Sequence, residues 1–131
     1  MVSMGETMPE QSVNTRPFDT SLLDAALERQ RKDRERERQR VIKRILRLLD
    51  QWGPDYGIQR AYLFGSVARP GRFRPDSDLD LAVEQIDHLV FFKAIGEFSS
   101  EIGRPVDLVE LEQCHFADKI RQEGIPWTQS N

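Results

Sequence analysis

Three short apolar runs, Ile58–Phe64, Leu79–Val83 and Val106–Leu111, alternate with turns and helical stretches in the second half of this chain. That alternation restricts it to a small sheet backed by helices. The first run ends at Gly65-Ser66, a turn pair, and a short helix is expected through Val67 to Arg69. Between the second and third runs, Leu89, Phe92, Ile95, Phe98 and Ile102 recur at helical period within 88–102, and Gly103 closes the segment. Phe116 and Ile120 suggest a last short helix over 115–123, and the chain ends near Trp127 without a further strand. The expected fold class is therefore α/β (α+β), a small mixed β-sheet with flanking helices.

The N-terminal half reads differently. Residues 1–17 hold Gly5, Pro9 and Pro17 among small polar residues without period, and are expected to be disordered. Ser21-x-x-Asp24 is a start box for a long helix over 18–53, with Leu22, Leu23, Ala26 and Leu27 in its first turns. Residues 28–40 are almost wholly charged. Val41, Ile42, Ile45, Leu46, Leu48, Leu49 and Trp52 then form a stripe that packs the last three turns on the domain 54–131, and Gly53-Pro54 is read as the stop.

Charge separates the same two regions. The net charge is −3, but Arg29 to Arg47 holds ten of the nineteen basic residues against three acids, a net +7 that leaves −10 elsewhere. The basic segment is read first as a solvated, self-paired helix and second as an arm for RNA. No run approaches the roughly 18 apolar residues of a membrane span, and no signal-peptide pattern opens the sequence. Cys114 is the one cysteine, and His88 and His115 stand apart from it in no zinc-ligand spacing. A reducing, cytoplasmic setting is expected.

The chemistry lies in the acids. Asp78 and Asp80 flank Leu79 on a strand, so their side chains share one face while Leu79, Leu81 and Val83 face a core. Their Cα atoms should be roughly 6.5–7 Å apart, close enough for two carboxylates to clamp divalent cations. Asp107 repeats the pattern inside Val106-Asp107-Leu108-Val109, and completes a triad if the third strand lies beside the second. An all-oxygen set favours Mg²⁺ or Mn²⁺. Gly65 permits close backbone approach to phosphate, Ser66 adds a hydroxyl, and Arg69 stands nearer the turn than Arg72 or Arg74 as a partner for phosphate oxygens.

Together Gly65-Ser66-x-Ala68-Arg69, Ser77-Asp78-x-Asp80-Leu81 and Val106-Asp107-Leu108-Val109 resemble the signature of the minimal nucleotidyltransferases, within the DNA polymerase β-like superfamily. The likeness runs from Ala61 to Leu111, continues through 116–124, and departs at Pro70, an extra residue before Gly71. It implies a nucleotidyltransferase-like fold and transfer of AMP from ATP to a hydroxyl. Asp78 and Asp80 would hold both metals, Asp107 the catalytic one, and Gly65 and Ser66 the β- and γ-phosphates. Members of this family also act as antitoxins paired with a helical HEPN-type ribonuclease toxin, some by adenylylating it. The expected partner is such a toxin, in a hetero-oligomer. A contact-only antitoxin is the alternative, together with an RNA-associated protein using the basic helix.

Overall fold

The structure is a computed structural model that describes residues 19–130. The segment 1–17, expected to be disordered, lies outside the described residues. By its internal contacts the chain forms two units, 1–32 and 33–131.

Helix α1 spans Ser21–Tyr56. Asp19 caps its start, its carboxylate accepting from the Ser21 amide at 2.9 Å. In the first unit every described side chain is exposed, the leucines at 22, 23 and 27 included. Its middle is laced by Arg–carboxylate pairs three residues apart: Arg36 with Asp33, Arg38 with Glu35 and Arg40 with Glu37, each at 2.8 Å.

In the second unit four strands follow: β1 Arg60–Phe64, β2 Leu79–Val83, β3 Val106–Glu110 and β4 Ile125–Thr128. Their order in the sheet is β3-β2-β1-β4, with β1 antiparallel to β2 and β4, and β2 parallel to β3. The parallel pair is joined by α2, Phe91–Ile102, entered through one 3₁₀ turn at His88–Val90 and closed by Gly103 at φ +81°. Helix α3, Ala117–Glu123, precedes β4.

Alternation assigns the two faces of the sheet. Leu63, Leu79, Leu81, Val83, Val106 and Leu108 join Ile45, Leu49 and Phe98 in one core under α1 and α2. On the other face Ala82, Leu111 and Ile120 form a smaller cluster with Tyr62, Phe64 and Val109. A bidentate pair binds α3 to that face, Arg121 Nε and Nη2 each donating to Glu84 at 2.8 Å.

Several expectations need correcting. The helix does not stop at Gly53-Pro54 but runs to Tyr56, ending at Gly57 with φ +75°. Gly53 is a packing gap, since a Cβ there would stand 2.8 Å from the Trp127 ring. Trp127 belongs to a fourth strand and donates from Nε1 to Asp50 at 2.7 Å, joining β4 to α1. The packed part of α1 begins at Arg38, a turn before Val41. Leu89 and Phe92 do not face the core. They are 94% and 82% exposed, because the 3₁₀ turn shifts the phase and α2 buries Ala94, Phe98 and Ile102 instead.

Candidate functional site

The face of the sheet not covered by α1 and α2 carries all three aspartates. Asp80 is paired in register with Asp107 across the parallel strands β2 and β3, so the two side chains leave adjacent backbones about 4.8 Å apart in one direction. Asp78 precedes β2 by one residue and shares the face of Asp80. The start of β2 is fixed by the Leu79 amide, which donates to the Pro105 carbonyl at 2.9 Å and so aligns Asp78 and Asp80 with Asp107.

On its other side Asp80 is in register with Phe64, the residue before Gly65. Gly65 has φ +71°, and a Cβ on it would collide with Asp80 Oδ2. Both the conformation and the contact therefore require glycine. Residues Gly65–Ala68 form a 3₁₀ turn, closed by the Arg69 amide donating to the Ser66 carbonyl at 3.1 Å.

The electrostatics follow from this crowding. Asp80 is half-buried, and burial, then the charges of Asp107 and Asp78, push its carboxyl up to about 6. No cation or donor among the described residues offsets these effects. A divalent cation is the natural compensation, and the hard-oxygen donors of Asp78, Asp80 and Asp107 suit magnesium or manganese in chemistry. The side chains share a face without converging: among the described residues no group of three His, Cys, Asp or Glu is arranged to hold a metal ion. Asp78 and Asp107 are exposed, so rotation about their side-chain bonds is unhindered by packing.

Of the other residues singled out in the sequence, Ser66 sits in the turn beside Gly65, while Arg69 reaches away from the acids to Glu123 on α3, at 3.7 Å. Arg72 and Arg74 are exposed.

Two arginines that sequence reading assigned to no site hold its loops in place. Arg38, 7% exposed, donates from Nε to the Val67 carbonyl inside the Gly65 turn at 2.7 Å. Arg104 donates from Nη1 to the carbonyls of Arg74 and Ser77 at 3.0 and 2.7 Å, and its guanidinium lies 4.2 Å over the Phe73 ring. These bonds fix the backbone just before Asp78. A signal for Arg38 existed in the sequence, because positions 38, 41, 42, 45 and 49 continue the α1 stripe at helical spacing.

Residues 43–130 match the family described as Polymerase beta, Nucleotidyltransferase. No curated protein matches the chain. Among solved structures, one chain of a toxin-antitoxin crystal structure with AMP-PNP is similar at 25% identity and a TM-score of 0.52, over 68% of this chain and 73% of that one. A chain from a crystal structure of the toxin-antitoxin MntA-HepT is similar at 24% identity and a TM-score of 0.49, over 70% and 73% respectively.

Proposed function

This chain belongs to the Polymerase beta nucleotidyltransferase family, and on that premise we propose that it transfers AMP from ATP to a hydroxyl of a partner protein, a HEPN-type toxin, as an antitoxin. One observation carries the assignment of roles. Asp80 lies in register with Asp107, shares a face with Asp78, and presses on Gly65, so that acids and turn form one continuous surface.

In the transfer, the acceptor oxygen attacks the α-phosphorus of ATP. The bond from that phosphorus to the bridging oxygen breaks, and pyrophosphate leaves. The acceptor proton passes to a carboxylate, a role that suits Asp107, which is exposed at the open edge of the acid row. The backbone amides and hydroxyl of Gly65 and Ser66 hold the β- and γ-phosphates. Mg²⁺ or Mn²⁺ held by Asp78, Asp80 and Asp107 would supply charge neutralisation for the phosphates and the attacking oxygen. Positioning and electrostatics suffice for this chemistry, and the protein forms no covalent intermediate in it.

The similarity to a toxin-antitoxin chain crystallised with AMP-PNP supports both the nucleotide and the class of partner.

The experiment is incubation with α-labelled ATP, Mg²⁺ and the candidate toxin. Label should move to the toxin and its ribonuclease activity should fall. With Asp78→Asn and Asp80→Asn together, label transfer should vanish. If the double variant still silences the toxin, neutralisation works by contact alone.

A further inference from the structure

A cleft of about 220 Å³ opens between the Gly65 turn and α3, on the same side of the sheet as the three aspartates. Phe64, Ala68, Phe116 and Ile120 give it walls that are mostly carbon, and the charged Arg69 and Lys119 share the lining. The Arg69–Glu123 ion pair, at 3.7 Å, ties the turn to α3 across this opening. Phe64 links the cleft to the acids, because it is the register partner of Asp80.

The carbon walls beyond the Gly65 turn do not suit phosphate. A triphosphate is strongly hydrated and needs converging N–H donors, whereas carbon walls favour a flat ring with apolar faces. Phe116 is 44% exposed, an aromatic side chain lining the cleft, with the His115 ring perpendicular to it at 5.1 Å between centroids. The volume suits one heteroaromatic base and is too small for a whole nucleotide.

Building on the nucleotidyltransferase reading, we propose that this cleft is the base subsite of the nucleoside triphosphate, with the Phe116 ring stacking on the base. The phosphates then lie over Gly65 and Ser66, and the ribose bridges the step between turn and cleft. Lys119, also in the lining, can meet the sugar or the phosphates.

The test separates base from phosphate with two probes, Mg·ATP and Mg·tripolyphosphate, titrated calorimetrically into the full chain. Phe116→Ala should weaken ATP about ten-fold, the scale of one lost base–aromatic stack, and leave tripolyphosphate unchanged. Phe116→Trp should restore ATP affinity. Because Phe116 is largely outside the core, circular dichroism should confirm that both variants fold. Wild-type ATP affinity in Phe116→Ala, or an equal loss for both probes, would overturn the base subsite alone. A wild-type chain that binds neither probe would overturn the nucleotidyltransferase reading as well.

Discussion

Asp80 is the residue on which the site's electrostatics turn. Its folded-state carboxyl titrates at about 6 against an ordinary 3.8, so between those values the folded chain binds more protons than the unfolded one. Stability contributed by this group is therefore present at low pH and lost as pH rises through about 6. Asp80→Asn removes the penalty. In EDTA the variant should melt higher than wild type at pH 8, and the gap should narrow through pH 5 and close only below about pH 4, near the unfolded value of 3.8, as thermal unfolding across that range would show. The same substitution should abolish transfer, because the site gives up stability to keep a charge where a cation binds. Equal melting temperatures at pH 8 would mean that Asp80 is not strained. Added Mg²⁺ should stabilise wild type at pH 8 and do little at pH 5, where the group is protonated. Gly65→Ala is the companion test. A methyl group there meets Asp80 Oδ2 and a left-handed backbone at once, so ATP binding should be lost by calorimetry.

At the scale of elements, the site depends on helices that do not touch it. Helix α1 reaches the Gly65 turn through Arg38, whose Nε holds the Val67 carbonyl. Arg38→Met keeps much of the packing volume and leaves that carbonyl without its donor. The expected loss is about 1–3 kcal/mol in urea unfolding, with a several-fold higher KM for ATP as the turn loosens. An unchanged KM would show that the turn holds itself. Gly53→Ala should cost about 1–3 kcal/mol by overpacking against Trp127, with activity per folded molecule kept. These contacts explain what the sequence could disclose. Strands β1 to β3, the Gly65 turn and the acid pair announce themselves through local alternation and spacing. Strand β4 does not, because Ile125-Pro126-Trp127-Thr128 is short and holds a proline that only an edge strand tolerates. Its partner β1 lies some sixty residues earlier in the chain. The exposure of Phe92 escapes the sequence for a related reason: a helical period fixes which residues align, but the phase of α2 is set by the 3₁₀ turn before it. Of the loop-holding arginines, Arg38 is marked by its place in the α1 stripe, whereas nothing local marks Arg104, whose role rests on the carbonyls of Arg74 and Ser77, 30 and 27 residues away.

At the scale of the whole molecule, charge decides how a nucleotide can be held. Outside residues 29–47 the chain carries −10, and three of those negative charges stand together on the open face of the sheet. ATP brings about four more at neutral pH. Repulsion of that kind extends over roughly a Debye length, near 8–10 Å at physiological salt. Within the second unit Arg36, Arg38 and Arg40 are engaged by carboxylates of their own helix, and only burial and the neighbouring acids act on Asp80. The amides of one short turn cannot supply the deficit alone, so nucleotide binding should be conditional on divalent cations rather than merely improved by them. Titration of ATP in EDTA should give at least a hundred-fold weaker binding than in Mg²⁺, and raising NaCl should weaken the Mg²⁺-dependent complex only modestly. A protein that bound ATP equally well in EDTA would be holding it through the base and the basic residues instead. Metal would then have no part in recognition, and the reason for keeping three unpaired acids on one face would have to be sought elsewhere.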